Sequence, residues 1–167
     1  MKKQLRGTFI TMVTFAIMAI PSCTVHTDTN TSRLINDRSF DVTVHISDEF
    51  SDNERKNIID GVKVWERSLG DRLTWRAVTI ADNVVPNQRN RVVNGTRLMS
   101  VVYRRASTVD PLVVEWDEEN GKSLLGMCIG DPDDDTLLVW MVESRLTTPT
   151  MESLVSAHEF GHALGVE

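Results

Sequence analysis

A chain of 167 residues is long enough for one domain with a hydrophobic core and too short for two ordinary ones. Its 24 Asp and Glu outnumber 18 Lys and Arg, for a formal charge of -6. No general polyanion-binding surface is expected, and nucleic acid is not expected as a partner.

At the N-terminus, Lys2, Lys3 and Arg6 precede an uncharged apolar run from Thr8 to Ile20, and small residues lead to Cys23. A basic start and a short apolar stretch read as a secretory signal. The run is shorter than the roughly 20 residues a membrane span requires. Ile20-Pro21-Ser22-Cys23 resembles the lipobox of bacterial lipoproteins, in which the signal, here residues 1–22, is removed before a lipid-carrying cysteine. That resemblance implies export and a lipid anchor at Cys23 in the outer membrane, with plain secretion or an uncleaved anchor as alternatives. Cys128 is the second of two cysteines, so lipidation of Cys23 excludes an intrachain disulfide and the fold must rest on its core. Residues 23–38 are rich in Thr, Asn, Asp and Ser without periodicity and read as a polar tether, with His26 a solvated linker residue.

The domain, residues 39–167, opens with Phe40, Val42, Val44 and Ile46 alternating with Asp41, Thr43, His45 and Ser47, a strand with one wet face carrying His45. Ser51 to Glu54 has the spacing of a capping box, and Ile58, Val62, Trp65 and Leu69 follow at helical intervals up to Gly70. A long amphipathic helix from Asp52 to Leu69 is expected. Leu73 to Ile80 reads as a second strand and Ala81 to Asn90 as a polar loop around Pro86. Asn94-Gly95, between Arg91-Val92-Val93 and Leu98 to Tyr103, is a hairpin turn signal. Leu112 to Trp116, Leu124 to Ile129 and Thr136 to Val142 are further strand candidates, and the continuously apolar Leu137 to Val142 is expected inside the sheet. Thr148 as N-cap and Pro149 at the first helical position start a second helix reaching about Leu164. The order strand, helix, several strands, helix predicts an α/β domain.

That last helix carries His158, Glu159 and His162. Four residues make slightly more than one helical turn, so the two imidazoles project from one face and can grip one metal ion. Zinc suits neutral imidazole nitrogens at about 2.0 to 2.1 Å, and a catalytic zinc typically keeps three protein ligands and a water. Glu159 stands beside that face, where it can take a proton from zinc-bound water and pass it to a leaving amine. Gly165 can adopt the left-handed backbone that ends a helix and turns the chain back. A bare pair of histidines at this spacing also occurs in solvated helices, but Leu154, Val155, Phe160 and Leu164 around it argue against full exposure.

His158-Glu159-Phe160-Gly161-His162-Ala163-Leu164-Gly165 resembles the first eight residues of the HExxHxxGxxH zinc motif of metzincin endopeptidases. A strand, a helix bearing a Trp (Trp65), several strands and the zinc helix is the order of their matrixin-like branch. The resemblance spans residues 40–167 and is specific over the last ten. It implies a zincin-like mixed twisted sheet and a zinc-dependent metalloendopeptidase, with His158 and His162 as zinc ligands and Glu159 as general base. The family's third histidine would fall one residue past Glu167, and its Met-turn and final helix later still. The expectation is therefore an incomplete catalytic domain, a poor enzyme as written, unless His45 or an acidic side chain supplies the third ligand. In that family the strand two before the zinc helix is a sheet edge that pairs with the extended polypeptide substrate, the place of Leu124, Leu125 and Gly126 here. Asp131, Asp133, Asp134 and Asp135 read either as a calcium loop, as in matrixins, or as a wet turn. Cys128 reads as a small strand hydrophobe, with an inhibitory thiolate on zinc the alternative. The alternative function is a lipoprotein that keeps the scaffold as a binding module without catalysis.

Overall fold

The computed structural model describes residues 39–84, 86, 91–130 and 136–166. The signal segment, Cys23, the tether with His26 and the acidic loop Asp131 to Asp135 lie outside the described residues.

The alternating apolar residues at the start of the domain form β1 (Ser39–Ser47), and Phe40, Val42, Val44 and Ile46 are all buried on one face. Its other face is less wet than its polarity suggests, since Thr43 and Ser47 are buried too. The reason is position: β1 is flanked on both sides by parallel neighbours, and Ser47 Oγ donates to Asp82 Oδ1 at 3.1 Å.

Helix α1 (Asp52–Leu69) starts as its sequence dictates. The Ser51 hydroxyl accepts from the Glu54 N–H, and the Glu54 carboxylate accepts from the Ser51 N–H at 2.6 Å. It stops where Gly70, at φ 56°, leaves the helical region. After a short 3-10 turn, Gly70–Arg72, comes β2 (Leu73–Ile80), which pairs parallel to β1. The Asn94-Gly95 turn has φ 50° and 79°, as a tight hairpin requires, and joins β3 (Arg91–Val93) to β4 (Thr96–Arg105).

Leu112 to Trp116 is not a strand. It lies in helix α2 (Pro111–Asn120), with Asp110 at the N-cap, Pro111 at the first turn and Gly121 closing it at φ 61°. Asp110, Pro111 and Gly121 are helix punctuation, and they outweigh the β-favouring Val113, Val114 and Trp116, whose preference is set by packing rather than by backbone. Of the helix, only Val113 is buried, against Ala106, Leu124 and Val142.

Strand β5 (Gly126–Ile129) begins two residues later than Leu124, and β6 (Leu137–Met141) follows. The sheet order is β2-β1-β4-β6-β5, with β3 on β4. Only the β3 and β5 pairings are antiparallel. The apolar β6 is interior, between β4 and β5, as expected. The domain is therefore α/β, with a mixed sheet and three α-helices among the described residues.

Helix α3 (Pro149–Ala163) is capped by Thr148, whose hydroxyl accepts from the Met151 N–H at 3.2 Å. It packs with α1 on the sheet face formed by Phe40, Val42, Val44, Met99, Val101, Leu137 and Val139. Each such large apolar side chain contributes about 1.5 to 3 kcal/mol on burial. No helix among the described residues is long and apolar enough to cross a membrane.

Candidate metal centre

Three close approaches set the depth and rotation of α3. A Cβ at Gly61 of α1 would lie 2.5 Å from Ser153 O, and one at Gly161 would lie 2.6 Å from the Trp65 ring. One at Gly126 of β5 would lie 2.6 Å from Val155 Cγ1 and 3.1 Å from Glu159 Oε1. Directional bonds lock this contact. Trp65 Nε1 donates to Ala157 O at 2.6 Å, Ser156 Oγ donates to Ile58 O at 2.9 Å, and the Tyr103 hydroxyl donates to Ser156 O at 3.1 Å.

Held this way, α3 turns His158 and His162 to one side, both half-buried. Their Nε2 atoms are 3.1 Å apart and their rings stand at 82°. A tetrahedral ion about 2.05 Å from each nitrogen would space them about 3.3 Å apart, close to what is seen. Burial, and after it the charge of His162, holds His158 below the ordinary imidazole value, which favours the neutral form a metal needs.

The helix end completes the arrangement. Gly165 is left-handed at φ 85°, its N–H donates to His162 O, and the Val166 N–H donates to Gly161 O, both at 2.9 Å. This is a Schellman closure. It brings the Val166 carbonyl to 3.0 Å from His162 Nδ1. A carbonyl can only accept, so Nδ1 carries a proton, and in the neutral ring the lone pair is left on Nε2, facing His158. Such a bond from the far ring nitrogen to a carbonyl is the usual support of a metal-bound histidine. In sequence only Gly165 pointed to it.

Glu159 does not project into solvent. It is 1 % exposed, with its Oε2 shielded from water, and sits where Gly126 meets α3. Burial pushes the nearby Tyr103 hydroxyl above the usual phenol range, with the charges of Cys128 and Glu159 adding to it. Cys128 lies on β5 and packs against the core, like a small hydrophobe.

Among the described residues, no group of three or more His, Cys, Asp or Glu side chains gathers around one point. His45 is thus not brought to His158 and His162. It sits on β1 with both ring nitrogens buried and no hydrogen-bond partner. Leu124 and Leu125 precede β5, and Leu124 is buried beneath α2. No family model, curated protein or solved structure matches the chain.

Proposed function

We propose that the chain is a metzincin-type zinc metalloendopeptidase acting on an extended polypeptide. The observation that carries this reading is the pair of Nε2 atoms 3.1 Å apart, with the His162 lone pair turned inward by the bond to Val166 O. His158 and His162 would hold the ion. When bound, zinc supplies Lewis-acid polarisation of a carbonyl and makes water acidic enough to attack at neutral pH.

The remaining work falls to the chain's own groups. Glu159, shielded between β5 and α3, accepts the proton of the attacking water and delivers it to the leaving amine. β5 is the antiparallel end strand of the sheet path, and its Gly126 touches the Glu159 side chain. The metzincin resemblance places the extended substrate along this strand, next to the general base.

Zinc titration of the protein tests this, with elemental analysis and cleavage of a mixed peptide library as readouts. His158→Ala and His162→Ala should each lose the metal. Glu159→Gln should keep it and lose about 10²- to 10⁴-fold in turnover. Zinc content unchanged in both histidine variants would sink the proposal, and peptide binding without cleavage by the parent would favour the binding module.

A further inference from the structure

Gly61, Gly161 and Gly126 all make room where α3 meets its neighbours, but they face different things. Gly61 faces the Ser153 carbonyl and Gly161 the Trp65 ring. A Cβ at Gly126 would lie 2.6 Å from Val155 Cγ1 and 3.1 Å from both Cγ and Oε1 of Glu159, the side chain proposed as general base. The backbone of Gly126 does not call for glycine, since its φ is not positive, unlike that of Gly70, Gly95, Gly121, Gly130 and Gly165. Space is what excludes a side chain there.

How each neighbour is held decides which of them would yield to a side chain at residue 126. β5 is in register with the interior strand β6, Gly126 opposite the buried Met141. Just before it, the Val142 N–H donates to Leu125 O at 3.0 Å. Helix α3 is seated on α1 at Gly61 and Gly161 and bonded to it through Trp65 and Ser156. Val155 is buried and β-branched, which leaves it one strongly preferred rotamer in a helix. The longer, unbranched arm of Glu159 is the part able to turn to another rotamer. A methyl group at residue 126 therefore moves the carboxylate rather than the strand or the helix.

Resting on the peptidase reading, we propose that Gly126 is a positioning residue for the general base. The space left by its missing side chain holds the Glu159 arm against β5, in the place from which the carboxylate serves the attacking water. A displacement of about 1 Å there costs about 10²-fold in turnover. The histidine pair does not use this contact, so the metal stays as it is.

The test compares Gly126→Ala with Gly126→Ala/Val155→Ala in the full chain. The second variant removes the tighter contact, at Val155, and keeps the one at Glu159, so it remains informative if the first folds poorly. The readouts are zinc content, kcat and KM on a peptide that the parent cleaves, and the Glu159 rotamer. The rotamer is read without peptide, from NMR couplings and from the nuclear Overhauser effect between residue 126 and the Glu159 Cγ protons. Both variants should turn Glu159 to a new rotamer and lower kcat about 10- to 100-fold, with zinc content and KM near the parent values. A parental Glu159 rotamer in both variants overturns the proposal. So does kcat restored in the double variant, which would assign the loss to crowding of Val155. Zinc content or KM changing as much as kcat assigns Gly126 a general structural role and overturns it as well. A parent that binds zinc but cleaves no peptide sinks the peptidase reading, and the rotamer alone then judges the positioning.

Discussion

On the sheet face covered by α1 and α3 the helices are in close contact: Gly61 meets the Ser153 carbonyl and Gly161 the Trp65 ring so closely that a single added carbon would lie within 2.6 Å of either. On the opposite face, α2 buries only Val113, and Met127 and Trp140 are partly covered beside it. There Thr43 Oγ1 and both ring nitrogens of His45 are buried without hydrogen-bond partners. The first face leaves no room at Gly61 or Gly161, and Trp65, Ser156 and Tyr103 find hydrogen-bond partners across its contacts. The second leaves polar groups unmatched. Tight packing is concentrated behind the residues proposed for chemistry, where about 1 Å of misplacement would matter.

The largest test of that contrast is Gly61→Val. Its Cβ would strike Ser153 O, a backbone atom, and Ser156 at 2.8 Å, so a loss of about 3 kcal/mol is expected in urea unfolding. A loss below about 0.5 kcal/mol, the size of an ordinary surface change, would mean that the helices are not seated as described.

Trp65→Phe should have a smaller effect. It removes the 2.6 Å bond to Ala157 O and the outer ring atoms that pack against Gly161, for about 2 kcal/mol. Because that bond sets the rotation of α3, the variant should also bind zinc more weakly. Unchanged zinc affinity with the expected stability loss would separate packing from positioning.

The smallest effect belongs to the loose face. His45→Leu should change stability at neutral pH by no more than about 1 kcal/mol, and in the favourable direction, because it removes unmatched polar atoms. Burial, and then Arg76, holds the His45 value below that of the unfolded chain. The unfolded chain therefore takes up its proton first as the pH falls. His45's contribution is whole above about pH 6.5 and is lost as the pH drops through the folded value. His158 is shifted in the same direction. Unfolding midpoints between pH 7 and 5 should thus show a shallower acid-side decline in His45→Leu, not a flat one. An unaltered slope would show that His45 does not contribute.

Much of this architecture was legible in short windows of sequence. The capping box at Ser51 and Glu54, the stop at Gly70, the Asn94-Gly95 turn, Thr148-Pro149 and Gly165 each act within a few residues, and each produced the element expected. The His158–His162 pair was legible for the same reason, because helical spacing alone puts i and i+4 on one face. Leu112 to Trp116 carries β-favouring side chains and reads as a strand, yet it is helical because the flanking Asp110, Pro111 and Gly121 decide the backbone there.

What the chain order could not reveal were contacts between residues far apart in it. Trp65 reaches Ala157, Asn57 reaches Glu152 at 2.6 Å, and Arg145 reaches back to Asp117 and Leu124. Gly61, Gly126 and Gly161 look alike in sequence to any other glycine, and only the approach of a second element makes them obligatory. The alternation of β1 likewise announced polarity but not burial, since neighbouring strands and packing decide whether Thr43 and His45 meet water. Local sequence set the elements and the spacing of the two imidazoles because both follow from backbone geometry. Tertiary structure decided the depth of α3, the shelter of Glu159 and the grip on Leu124, because each depends on which surfaces are pressed together.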